Sequence, residues 1–332
     1  REHASSLGAL LAYEIANTVG IPAYIVDPVC VDEFDAVARV SGLPEIERRS
    51  LSHALNLKAV ARRAALELGR PYPELNLVIA HLGGGISVTA HRQGRMVDVN
   101  QALDGNGPFA PERSGGLPVG DVVRMCYAEA PYQDVDLTYE QMFRKLAGKG
   151  GLVAHLGTNS AVEVERRIRA GDEHARLVYE AMAYQIAKEM GAMATVLGGR
   201  VDAIVITGGV AHSELLLDWI GQRVAWIAPV LVYPGEDERV MRVIRNIVRG
   251  LCHHHSVMSP VSDKRVWANV QKYAIPEEFL DQMNYHHREQ DIVEYRYQIL
   301  NEFGINSAWL ITFFERVPFI GLVFMSEEGF GQ

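Results

Sequence analysis

The sequence predicts a mixed α/β fold whose sheet ends in two glycine turns, and three observations predict it. An apolar run, residues 75–80, leads through His81 and Leu82 into the triple glycine Gly83, Gly84 and Gly85. Two alternating apolar and polar segments follow, 86–91 and 95–99, with Gln93-Gly94 between them in the manner of a hairpin. Farther along, 201–206 repeats the apolar run, and Gly208-Gly209 repeats the turn just ahead of a helix start at Ser213. A strand with its hairpin, and then helices alternating with single strands, argue for a mixed sheet rather than a purely parallel one.

The remaining elements follow in order. Residues 1–19 carry Leu7, Leu10, Leu11, Ile15 and Val19 at helical spacing, ended by Gly20, and 21–26 reads as a short strand closed by Asp27-Pro28. Residues 53–68 form a second helix, basic on one side at Lys58, Arg62 and Arg63, with Gly69 past its end. After the hairpin come short helices over 119–128, 139–146 and 161–170. Asp172 opens a long helix through Leu197 with apolar Leu177, Val178, Ala181, Ile186 and Met190, and Gly198-Gly199 stops it. Strand 201–206, helix 213–224, strand 230–233 and the turn Pro234-Gly235 complete this part. In the tail, 276–302 reads as a long amphipathic helix with Pro276 near its start, Glu277 and Glu278 in its first turn and Gly304 beyond it. The apolar runs 308–314 and 319–325 are too short to span a membrane, and the charged break between them favours two strands.

Bulk properties narrow the function classes. Apolar residues make up 48% and charged residues 22% of the 332, an ordinary balance for a globular protein long enough for about two domains. The net charge of −9 argues against nucleic acid as the main partner, but not against a nucleotide held by a local turn and one cation. The three cysteines, Cys30, Cys126 and Cys252, are widely spaced and match neither a disulfide framework nor a metal motif, as expected of a reducing, cytoplasmic setting. The chain opens inside a helical pattern without an initiating Met or signal peptide, which is expected of a truncated start.

A strand, a glycine turn and a hairpin bring backbone N–H groups close together, and such a concavity holds phosphate oxygens. Glycines also serve tight turns in sheets of no special function. The second strand–glycine turn, with a helix N-terminus behind it, favours phosphate, since two such turns can form two walls of one nucleotide cleft. Asp27 at a strand end has the hard oxygen donors that Mg²⁺ prefers, although Asp-Pro is equally a turn pair, and Asp104 shares that ambiguity. His253, His254 and His255 read as an exposed stretch rather than a metal site. Arg113 follows a loop rich in proline and glycine, where its guanidinium can fork two donors onto an anion; composition alone would leave it on the surface.

The segments HLGGGISV, DGNGPFAPERSGG, GKGGLVAHLGTN, YEAMAYQIAKE, ITGGVAHS and VYPGEDE closely resemble those of butyrate kinase and the related branched-chain carboxylate kinases. These are acetokinase-family enzymes of the actin-like ATPase fold. The resemblance runs from Arg1 to about Glu238 and does not extend over the tail. It implies paired ribonuclease H-like halves: 1–73 as the remainder of the first, 74–250 as the second with the glycine turns, and 251–332 as an unassigned tail. It also implies ATP and Mg²⁺ as cofactors, a short-chain carboxylate as acceptor, a homo-oligomer, and no role for membrane or nucleic acid. The implied reaction is butanoate plus ATP giving butanoyl phosphate plus ADP. A branched acyl substrate is the alternative, as is a nucleotide-binding fragment without catalysis, because the family's first phosphate loop has no counterpart in 1–73.

Under this resemblance Arg113 lies beside the transferred phosphoryl group, and His3, in HASSLGA, is its partner in catalysis. His81, Gly83, Gly84, Gly85, Gly208, Gly209 and Ser213 border the nucleotide, with Asp27 the candidate ligand for Mg²⁺. His155, in VAHLGTN, is placed near the nucleotide on the same grounds.

Overall fold

The computed structural model describes Asn17, residues 27–103 and 105–235, and the backbone of 309–311 and 323–325. The expected helix over 1–19, the strand 21–26, the tail helix 276–302, and the sites His3, Asp104 and His253–His255 lie outside the described residues. The chain divides into two compact units, one of Val29–Glu238 and one of Arg1–Pro28 with Arg239–Gln332.

The first unit is built on a five-stranded sheet. Its strands are β1 (Asn76–Leu82), β2 (Ile86–Arg92), β3 (Arg95–Val99), β4 (Ala203–Gly208) and β5 (Val230–Pro234), in the order β3-β2-β1-β4-β5. β1–β2 and β2–β3 pair antiparallel, whereas β1–β4 and β4–β5 pair parallel, so the sheet is mixed as expected. The hairpin between β2 and β3 turns at Gln93 (φ 50°) and Gly94 (φ 83°), the paired left-handed residues that a tight turn between twisted strands requires.

β1 and β4 are buried along almost their whole length because both faces are covered. Val78, Ala80, Leu82, Ile204 and Ile206 face the long helix, which presents Val178, Met182, Ile186 and Met190 at four-residue spacing. Leu77, Ile79, Ala203 and Val205 face the opposite way, toward Leu57, Val60, Ala61 and Ala64 of an earlier helix. Sequence alternation along each strand thus assigns its side chains to one helix or the other.

The described helices are α1 (Ala36–Arg39), α2 (Ala54–Glu67), α3 (Val119–Cys126), α4 (Tyr139–Leu146), α5 (Gly151–Leu156), α6 (Ala161–Arg169), α7 (Glu173–Val196) and α8 (Glu214–Val224). Their starts follow the capping signals. The Thr138 and Gln141 side chains cap α4 reciprocally. Ser160, Asp172 and Ser213 each accept a backbone N–H in the first turn of α6, α7 and α8. Helix α5 is not among the helices the sequence predicts: its six residues are bracketed by glycines, with no room for a periodic pattern.

Helix α2 departs from its sequence reading. Lys58, expected on a basic face, is buried and donates to Glu33 Oε1 at 2.6 Å. The guanidinium of Arg63 lies over the Tyr233 ring, 4.1 Å from its centre, and that of Arg62 over the ring of Tyr72. Covering one face of the sheet thus puts residues 29–73 in the same unit as β1–β5. In the second unit, β6 (Trp309–Ile311) and β7 (Val323–Met325) pair antiparallel, so the two apolar runs of the tail do contain strands. Among the described residues no helix is long and apolar enough to cross a membrane.

Candidate functional site

The two glycine turns emerge from neighbouring interior strands at the same end of the sheet. His81 of β1 pairs with Thr207 of β4, so the turns beginning at Gly83 and Gly208 lie side by side. Gly208 has φ 94°, and a Cβ there would collide with the Leu82 carbonyl, so only glycine permits this approach. The β5 end joins them: Gly235 N donates to Gly208 O (2.9 Å) and Gly208 N to Gly235 O (3.2 Å). Gly83 N closes its own turn on Gly85 O at 3.1 Å.

A loop from the middle of the chain then folds onto the first turn. Glu112 N donates to Gly84 O (3.2 Å), which sets the next residue, Arg113, over Gly85. A Cβ on Gly85 would occupy the space of the Arg113 guanidinium. Arg113 Nη1 donates to Ala102 O at 2.7 Å, and the Arg113 carbonyl accepts from Ala110 N at 2.9 Å. The Glu112 carbonyl takes two N–H groups, from Gly148 (2.8 Å) and Gly150 (3.1 Å), and its carboxylate accepts from Asn159 Nδ2 (2.6 Å). The arginine therefore sits on a fixed loop, and a planar cation held so beside a glycine turn is suited to a phosphate or carboxylate.

Beneath the turns the α2 side of the sheet changes character. Deep in the sheet the side chains are Leu77, Ile79 and Val205, whereas toward the turns they become His81, Ser87 and Thr207. His81 is completely buried; its Nδ1–H donates to Asn56 Oδ1 (2.9 Å), and its ring stacks on His53 with centres 3.9 Å apart and planes at 16°. His53 Nδ1 shares a hydrogen bond of 2.7 Å with Ser87 Oγ. The sequence reading passed over His53 and Asn56, since one stands at a helix start and the other inside an apolar helix turn. Their signal was faint: two polar residues at the start of a helix otherwise built to be buried.

The other candidates are placed as follows. Gly209 is exposed, and a Cβ on it would meet nothing within 4 Å. Ser213 is buried, and its hydroxyl accepts from Leu216 N (3.1 Å) and from the Tyr179 hydroxyl (3.0 Å). That hydroxyl is thus occupied in capping α8, and burial pushes the Tyr179 phenol up to about 12. His155 is exposed in the last turn of α5, its ring 6.1 Å from that of Phe109. Asp27 is half-buried with φ 41° and belongs to the other compact unit. No cluster of three metal-binding side chains occurs among the described residues. Mg²⁺ in phosphoryl-transfer enzymes is held largely by phosphate and water, with one or two carboxylates, so its chemistry is compatible with a single aspartate.

The sequence model of the acetokinase family matches residues 46–217, more than half of the chain. The chain belongs to the acetokinase family. The match takes in α2, β1–β4, both glycine turns and Arg113. Solved structures of acetokinase type share the fold. The acetate kinase of Porphyromonas gingivalis is 23% identical with a TM-score of 0.58, over 67% of this chain and 63% of that one. A propionate kinase from Francisella tularensis is 20% identical with a TM-score of 0.55, over 63% and 60%. The acetate kinase of Entamoeba histolytica is 16% identical with a TM-score of 0.55, over 65% and 63%. The chain spans about three fifths of the length of these structures. Its fold is accordingly the actin-like ATPase kind, with a mixed sheet and flanking helices.

Proposed function

We propose that this acetokinase-family chain carries the nucleotide-binding half of an ATP-dependent carboxylate kinase, with butanoate as acceptor: butanoate plus ATP gives butanoyl phosphate plus ADP. The observation that carries this reading is the pairing of the two glycine turns, with the Arg113 guanidinium laid over Gly85. Backbone at Gly83–Gly85 is read as the phosphate wall and Gly208-Gly209 as the adenosine side.

A carboxylate is already a nucleophile, so this chemistry asks for alignment and charge neutralisation rather than a strong base. Arg113, fixed by its bond to Ala102 O, meets the charge that develops on the phosphoryl oxygens. His3 is the imidazole assigned to the same group, and His81, beneath the turn, is assigned to the border of the nucleotide phosphates. Mg²⁺, with Asp27 as its proposed protein carboxylate, would neutralise the nucleotide phosphates when bound. The long matching segments quoted above favour butanoate over acetate or propionate, and a branched acyl acceptor is the second choice on the same segments. A cytoplasmic homo-oligomer accords with this assignment.

The test is a hydroxamate assay with ATP and Mg²⁺, run in parallel on butanoate, 2-methylpropanoate, propionate and acetate. Butanoate should give the highest kcat/KM. A preference for acetate or propionate would overturn the substrate assignment, and failure to bind ATP in calorimetry would overturn the nucleotide site.

A further inference from the structure

We infer that Asn56 is a positioning residue for His81, acting with His53; the inference rests on the assignment of His81 to the nucleotide site at the glycine turn. Asn56 lies in the first turn of α2, completely buried, and its Oδ1 accepts the His81 Nδ1–H at 2.9 Å. An amide oxygen can only accept, so it holds the proton on Nδ1. Any proton that His81 gains or loses is then the one on Nε2.

Two further observations show that this geometry is not a by-product of helix packing. The Asn56 Nδ2 is buried without a hydrogen-bond partner among the described residues. Burying an amide with half of its capacity unused is unfavourable, so helix stability is not the reason for an asparagine here. What the residue does achieve is the bond to His81. His53 occupies the N-cap position of α2, yet its side chain makes no cap bond. It instead stacks on the His81 ring at 3.9 Å and is tied to Ser87 Oγ at 2.7 Å. Asn56 thus fixes the proton, and the His53 face fixes the plane of the ring. Both act on the residue that enters the glycine turn through Leu82, and ring rotation there would move Nε2 relative to the turn.

The assignment predicts a tautomer, which is measurable without any turnover. In the full chain with 15N-labelled histidine, His81 Nδ1 should resonate in the protonated, pyrrole-like range, and Asn56→Leu should convert the two ring nitrogens to an averaged pair. An averaged pair in the unsubstituted protein, or Nδ1 in the unprotonated range, would overturn the proposal. In the kinase assay Asn56→Leu should lower kcat roughly ten- to hundredfold with the KM for ATP little changed, as expected of a misplaced group. Asn56→Asp, which keeps an accepting oxygen, should recover part of the loss and also guards against a leucine variant that folds poorly. His81→Ala combined with Asn56→Leu should be no slower than His81→Ala alone. Independent, multiplying losses would mean that Asn56 serves the fold and not His81. Absence of turnover in every protein would count against the proposed reaction, while the tautomer measurement would still decide the role of Asn56.

Discussion

The guanidinium of Arg113 occupies the space that a Cβ on Gly85 would need. This glycine is required by the close approach of a side chain and not by its own backbone angle. The same contact couples two parts of the chain, since the loop carrying Arg113 is anchored to the turn through Glu112 N and Gly84 O.

Gly85→Ala should therefore act as an arginine variant. The methyl group would push Arg113 off the turn and break its bond to Ala102 O. Under the proposed reaction, the rate should fall by about 10²-fold or more, as when one preorganised donor is removed. Arg113→Ala should match it, with circular dichroism near native in both. A fully active Gly85→Ala protein would show that Arg113 does not work from this position.

The paired glycines of the second turn should separate fold from binding. Gly208 has φ 94° and abuts Leu82, so Gly208→Val should unfold or strongly destabilise the protein. Gly209 is exposed, with open space where a Cβ would go, so Gly209→Val should leave the thermal midpoint near its original value and abolish ATP binding. Gly84→Val should likewise abolish binding. Calorimetric titration with ATP, on samples of verified melting temperature, checks the contrast; normal affinity in Gly209→Val would remove that residue from the site.

Glu189, half-buried on α7, is a source of pH dependence. Its carboxyl is raised above the ordinary 4.5, first by burial and then by the charge of Asp98, with Arg48 and Lys188 acting the other way. A raised carboxyl favours the folded state while protonated. Its contribution is therefore complete below about 4.5 and is lost as pH rises through the shifted value. Glu189→Gln should raise the melting temperature near pH 7 and change little near pH 4. Equal shifts at the two pH values would contradict this.

The pair between buried Lys58 and half-buried Glu33 should be costly to break and cheap to replace. Glu33 accepts from Lys58 Nζ at 2.6 Å and from Met96 N at 2.8 Å, tying α2 to β3. Glu33→Ala takes a carboxylate from the buried Lys58 ammonium and should destabilise by up to roughly 3–5 kcal/mol, whereas Lys58→Met with Glu33→Gln should recover most of that. Urea unfolding of the single and double variants measures both.

The sequence by itself determined what acts over a few residues. The strand–turn–hairpin of 75–99, the order of the strands and of the longer helices, the caps at Asp172 and Ser213 and the two glycine turns were all legible there. Periodicity, capping and left-handed turns are decided within one turn of chain, so local signals suffice. Only the tertiary structure decided which local choices meet. Lys58 and Arg63 share the basic side of a helix in the sequence, but docking of α2 on the sheet buries Lys58 against Glu33 and lays the exposed Arg63 guanidinium over the Tyr233 ring. Ser213 read as a nucleotide neighbour, and its hydroxyl turned out to be engaged by Leu216 and Tyr179. The stack of His53 on His81, and the fit of Arg113 over Gly85, depend on strand register and on how helix and loop dock against it. Those contacts join residues far apart in the chain, and no local pattern encodes their distance.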